Sequence, residues 1–313
     1  MKKWLLAVIV IIGLFFISAY VFLPKEIHSS NIKTFNCNIN SINRYLINES
    51  KWAKWWPGTI EHDSITGKDI FDYNGYQYRV IEKKYNAIVV QTRGNEFTVD
   101  GTIFFIPISV DTVRAEWKYA LKTTSNPVYR IHLYWETKKI NDNMAHIMES
   151  MKKFLGKTEN VYGMQIDQKI VKDTILVTTN FSSAQYPSTE KIYSFINGIK
   201  GYISAHNAIE TNSPMLHVLQ DSGSYKTQLA IPINKVIPGN KTYLIKRMVP
   251  GKILVAEVKG GIYTADEALT HLKNYITDYQ MSSPAIPFES LVTNRMEEPD
   301  TSKWITKIYY PVF

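Results

Sequence analysis

Cys37 is the chain's one cysteine. A single thiol excludes an intramolecular disulfide and any metal site built from several cysteines. It lies in an alternating stretch (Ile32, Phe35, Cys37, Ile39), where it reads as a small buried hydrophobe rather than a nucleophile. Arginine is also scarce, supplying seven of the 36 positive charges in a chain of net charge +8. Arginine is the residue favoured for bidentate contacts to phosphates and base edges. The lysines that supply the rest are scattered, so they read as solvated surface, and nucleic acid is not expected as a partner. Catalytic signatures are missing too: no Gly-x-Ser-x-Gly elbow, no phosphate loop, no His-Glu-x-x-His. The seven histidines show no ligand spacing. No metal, cofactor or catalytic residue is assigned.

The chain does have a long apolar run at its start. Lys2-Lys3 precede an uncharged stretch from Trp4 to Leu23, closed by Pro24-Lys25-Glu26. At 1.5 Å per residue in a helix this reaches across a bilayer core of ~30 Å. Cleavable signal peptides have apolar cores of ~7–15 residues and a small-x-small site. Ser18-Ala19-Tyr20 is a poor site of that kind, so residues 1–26 read as an uncleaved anchor. The positive-inside tendency puts Lys2 and Lys3 in the cytoplasm, with the remainder of a single-pass protein on the extracytoplasmic side of the cell membrane.

At 313 residues, 45% apolar and 20% charged, the rest has the length and composition of about two globular domains. Alternation at 28–36 predicts a strand, followed by a short helix on Ile39, Ile42, Tyr45 and Leu46. Lys51-Trp-Ala-Lys-Trp-Trp-Pro-Gly58 then places three tryptophans before a turn signal. Strands are expected over 76–81, 87–92, 97–106, 110–123 and 128–136, punctuated by Asn74-Gly75, Arg93-Gly94 and Asn126-Pro127. Asn143 is expected to open a helix with Met144, Ile147, Met148, Met151, Phe154 and Leu155 on one stripe. Trp52, Trp55, Trp56, Trp117 and Trp135 are expected to fill the space between sheet and helix. This order over residues 27–160 resembles the START-like (SRPBCC, helix-grip) superfamily. The resemblance implies a hydrophobic ligand held between the sheet and the last helix.

Residues 161–313 carry an internal repeat. Thr227-Gln-Leu-Ala-Ile-Pro-Ile233 and Thr306-Lys-Ile-Tyr-Tyr-Pro-Val312 are both apolar strands ending on a proline, which cannot donate to a sheet ladder. Walking back from each gives the same order. Helix 189–203 has Ile192, Phe195, Ile196, Ile199 and Ile203 on one face, and it answers a helix with Leu269, Leu272, Tyr275, Ile276 and Tyr279. Thr264-Ala-Asp-Glu267 reads as a capping box for the latter. Strands are expected at 169–179 and 252–259 before the helices. Each half is strand, helix, strand, strand and cannot close a core alone. The two should pair and leave a cleft at their seam. The fold class is therefore α+β: an N-terminal transmembrane helix, a helix-grip antiparallel sheet with a long C-terminal helix, and a duplicated strand-helix-strand-strand unit.

Gly260-Gly-Ile-Tyr263 and Lys303-Trp-Ile-Thr-Lys-Ile-Tyr-Tyr-Pro-Val312 make this last region similar to the effector-binding domain of the gyrase-inhibitor-like superfamily, also found in drug-responsive transcription activators. The resemblance implies a small, often cationic or aromatic ligand between the halves, and hydrolysis there in some members. It also implies a glutamate where this chain has Lys307. An ammonium repels cations and is no carboxylate base. Strand alternation puts Lys307 and Tyr309 on one face and Ile308 and Tyr310 on the other. Lys307 then either snorkels to solvent or pairs with Glu257 or Glu289 on neighbouring strands. Tyr225, Tyr263, Trp304 and Tyr309 complete the candidate ligand site, with Phe181 and Tyr186 as further aromatics. The expected activity is binding of a small hydrophobic or aromatic ligand, without catalysis. The alternative is a hydrolase using Glu257 or Glu289 as base.

Overall fold

In the computed structural model, residues 2–64, 66–171, 174–283 and 285–313 are described, and the chain divides into two compact units, Met1–Lys157 and Thr158–Phe313. The protein is α+β, with an N-terminal apolar helix, antiparallel sheets and one long helix.

The first unit runs α1 (Lys2–Phe22), β1 (Glu26–Phe35), α2 (Ile39–Ile42), β2 (Thr59–Asp63), β3 (Lys68–Tyr73), β4 (Tyr76–Lys84), β5 (Ala87–Arg93), β6 (Thr98–Ser109), β7 (Thr112–Lys122) and α3 (Pro127–Leu155). Over Lys3–Phe22 the first helix is long and apolar enough to cross a membrane, with mean hydropathy 2.9. The seven strands form one antiparallel sheet in the order β1-β7-β6-β5-β4-β3-β2.

Residues 128–136 are helical, not a strand, and α3 starts at Pro127 rather than Asn143. Asn126-Pro127 is a helix start. The Asn126 side chain accepts from the backbone N–H of Val128 (2.9 Å) and Tyr129 (3.3 Å), and a proline in the first turn gives up no hydrogen bond. The buried stripe Arg130, Leu133, Thr137, Ile140, Met144, Ile147, Met151 and Leu155 keeps helical spacing along the element. Buried Arg130 also closes the end of α1. It donates to the carbonyls of Tyr20 (2.8 Å) and Leu23 (3.2 Å), groups a helix terminus leaves without partners.

The tryptophans fill this unit as expected, with one exception. Trp52, Trp55, Trp56 and Trp117 are buried, and the first three donate to the carbonyls of Leu46, Tyr45 and Asp72. Trp135 is 57% exposed, because the segment carrying it is the outer face of a helix. The gap left among Leu46, Trp55, Ala115, Trp117 and Met148 is only about 10 Å³. Cys37 is buried here, and desolvation pushes its thiol up to about 12, so it stays protonated.

The second unit runs α4 (Thr158–Tyr162), β8 (Asp167–Val171), β9 (Thr174–Ser183), α5 (Thr189–Ala205), β10 (Met215–Asp221), β11 (Ser224–Ile233), β12 (Leu244–Met248), β13 (Gly251–Lys259), α6 (Ile262–Asp278), β14 (Phe288–Leu291) and β15 (Ile305–Val312). Its eight strands are ordered β12-β9-β11-β10-β14-β15-β13-β8. The single strand expected over 169–179 is two, β8 and β9, paired to β13 and to β11 and β12 respectively. The expected capping box is also not used. Gly261 occupies the N-cap position of α6, without a side-chain cap, and Glu267 lies 3.6 Å from His271. Gly260, at φ +144°, makes the turn into this helix, and a Cβ there would collide with the Thr264 side chain.

Both long helices cover one face of the sheet. The isoleucines of α5 pack with Val177, Leu216, Leu229 and Ile231, and Ala265, Ala268, Leu272 and Ile276 of α6 pack with Leu254, Ala256, Ile308 and Val312. Strand pleating sends the alternate residues the other way. Leu176, Met215 and Ala230 form a separate buried cluster there, with Met248 and Phe288 packed against it.

Candidate ligand site

The site is built from the residues the helices do not claim. Neighbouring strands bring Leu176, Met215, Ala230, Met248, Ile253 and Phe288 to one hollow of about 280 Å³. A second recess of about 310 Å³ shares Met215, Met248, Ile253 and Phe288 and adds Pro232, Ser290 and Tyr309. Phe288 and Tyr309, opposite each other in the β14–β15 register, stack with ring centres 4.9 Å apart and planes 6° from parallel. They give the site a flat aromatic wall. The unbranched Met215 and Met248 can adjust to an irregular guest.

The charged side chains of the lining carry one sign. Lys169, Arg247 and Lys252 contribute to it, and no aspartate or glutamate does among its described residues. His217 is half-buried there; desolvation holds its pKa below the usual histidine value, against an opposing hydrogen bond at Pro287. Among the described residues no cluster of histidine, cysteine or carboxylates could hold a metal ion.

The seven candidates from the sequence do not form one site: Glu289, Trp304 and Tyr225 gather around Arg295 and Tyr186, and the others lie apart from them. Tyr309 lines the hollow's second recess. Lys307 shares its strand face but pairs with Glu257 directly across the β13–β15 register, at 3.4 Å. Both side chains are partly in water, 35% and 58% exposed, and neither lines the hollow. Glu289 is not a partner of Lys307. Its register neighbours are Leu216 and Ile308, both in the helix-side cores, so it points to the other face. There Arg295, whose side chain is 3% exposed, lies 3.3 Å from its carboxylate, donates to the Thr306 hydroxyl at 3.0 Å and rests on the Trp304 ring. Burial pushes the Glu289 carboxyl above the ordinary range while Arg295 pulls it back. Trp304 is therefore buried structure, and Tyr225 packs edge-on against Tyr186, 5.8 Å between ring centres. Tyr263, at the start of α6, is 90% exposed and touches no cavity lining.

Met215, Met248, Ala230, Leu176, Ile253 and Phe288 were not singled out as candidates. A signal for them exists: 175–177, 229–233 and 253–256 are unbroken apolar runs, which mark strands kept from water on both faces.

No family model matches the chain, and no curated protein does. Some solved structures align with part of this chain. The C-terminal domain of EcmrR is 15% identical, with 48% of this chain and 98% of that one covered and a TM-score of 0.42. SAV2435 bound to tetraphenylphosphonium is 17% identical, with coverage of 48% and 94% and a TM-score of 0.32. A hydrolase from Listeria innocua is 8% identical, with coverage of 48% and 92% and a TM-score of 0.38. At such identities and scores the likeness carries no functional argument.

Proposed function

We propose that this chain is a membrane-anchored protein that binds a small hydrophobic or aromatic molecule in its C-terminal unit and performs no chemistry on it. The observation that supports this most directly is the hollow of about 280 Å³ on the helix-free sheet face, walled by methionine, aliphatic and stacked aromatic side chains. The domain reading follows: an anchor at 1–26, a START-like domain at 27–160, and an effector-binding domain at 161–313 whose two strand-helix-strand-strand halves are copies. The anchor spans the cell membrane once and holds both domains on the extracytoplasmic side, and nucleic acid is not a partner. The START-like domain serves as spacer rather than second binding site, since its interior is filled by tryptophan. A hydrolase reading has less support, because Glu257 is engaged by Lys307 and Glu289 by Arg295.

Native mass spectrometry of the full chain, released from detergent, tests this. A bound small molecule is expected on the native chain and none on Ala230→Leu, which projects a larger side chain into the hollow. A bare mass for the native chain, with no octan-1-ol retained on addition, would refute the binding reading.

A further inference from the structure

We propose that the guest of this hollow is an anionic amphiphile: a carboxylate or comparable acid on an alkyl or aromatic body. This rests on the binding reading above and adds the charge. Three cations and no aspartate or glutamate occur among the described residues lining the two recesses, and the strand register sets the Lys169 side chain on the hollow's own face. Lys169 stands opposite Ile253 in the β8–β13 register, so it shares the face of that lining residue, and its methylene stem can run along the apolar wall with the ammonium at the lip. Lys252, opposite Val312, and Arg247, opposite Ile175, border the first recess from strand positions whose side chains alternate toward the helix-covered face, and Arg247 has a further interaction of its own.

Acids on the neighbouring strands have other partners: Asp167, which shares the face of Lys169, accepts from the Gln165 side chain at 3.1 Å. Glu257 is matched by Lys307, and Glu289 lies on the opposite face against Arg295. A lipophilic cation would thus meet the Lys169 ammonium at the lip, whereas an anion would set its head against it and its body against Met215, Met248 and Phe288. Partly exposed pairs are individually weak, so the charge selects between guests of equal apolar area while the wall supplies most of the affinity.

The full chain in lipid nanodiscs, with its methionine methyls labelled with carbon-13, separates the two claims. Met215 and Met248 signals, assigned by Met→Leu substitution, report occupancy whatever the guest's charge. Octanoate, octan-1-ol and octylammonium serve as probes of matched length. Octanoate is expected to saturate the shifts at a concentration roughly tenfold below octylammonium, with octanol between. Lys169→Glu with Lys252→Glu should abolish or invert that order, and Lys169→Gln with Lys252→Gln should level it. Equal saturation by all three probes overturns the anionic assignment and leaves the binding site standing. Unmoved signals with every probe overturn the binding reading itself. A repeat in discs containing phosphatidylglycerol identifies the source: shifts without octanoate make the anion a bilayer lipid, and unchanged signals make it a free acid.

Discussion

The two units use similar materials and treat the space between elements in opposite ways. In the first, α3 lies along an antiparallel sheet, Trp52, Trp117, Tyr78 and Phe71 are buried between them, and the gap beside Trp117 and Met148 is about 10 Å³, the limit for one water. In the second, α5 and α6 take one face of the sheet, and the other keeps a hollow of about 280 Å³ walled by smaller or more pliable side chains. A sheet covered by a helix is therefore not in itself a pocket. Side-chain volume at the covered positions decides, because interiors pack to near crystal density wherever they can.

Removing Trp117 attacks the filled unit at its centre. Trp117→Ala is expected to cost ~3–5 kcal/mol in urea unfolding of the full chain followed by the first unit's tryptophan fluorescence, while leaving octanoate shifts at Met215 and Met248 intact under native conditions. Next comes the ion pair on the covered face of the second unit. Arg295→Met strands the Glu289 carboxylate and is expected to cost about 3 kcal/mol at neutral pH. The sign with pH follows from the raised Glu289 value. A carboxyl that holds its proton more tightly in the fold contributes stability fully below its ordinary value of 4.5 and loses it as pH rises through the folded value. Without Arg295 that fall should steepen, and unfolding midpoints from pH 4 to 8 would show it.

The sharpest comparison is one substitution made twice. Ala115 lines the 10 Å³ gap and Ala230 the 280 Å³ hollow. Ala115→Leu overpacks and should cost ~1–3 kcal/mol, whereas Ala230→Leu should change stability by less than about 1 kcal/mol and block octanoate. Equal costs would erase the distinction between the units. The smallest effect concerns His217, whose depressed pKa means the fold prefers the neutral ring. Its contribution is complete above the unfolded value of 6.5 and is lost as pH falls through the folded one. His217→Gln should flatten the acid side of the stability profile slightly, and a steeper slope would contradict the assignment.

Much of this was legible in residue order. The apolar run before Pro24, the stripe from Met144 to Leu155 and the isoleucines of α5 each carry a period that one dimension preserves. Strand parity separated Lys307 and Tyr309 from Ile308 correctly, since the pleat fixes alternation. Residues 128–136 misled because Asn-Pro serves equally as a turn between strands and as a helix start, and only the capping geometry distinguishes them.

The candidate site fared less well, for a physical reason. Alternation says that two residues share a face; it does not say which face a helix will cover. Glu289 and Trp304 fell on the covered side, where Arg295 claims them, and Glu257 met Lys307 only because β13 pairs β15 in that register. Local sequence thus determined the elements and their apolar faces through backbone period and side-chain chemistry. The hollow, its lining and its charge were decided by the long-range pairing of strands distant in the chain, which no local pattern encodes.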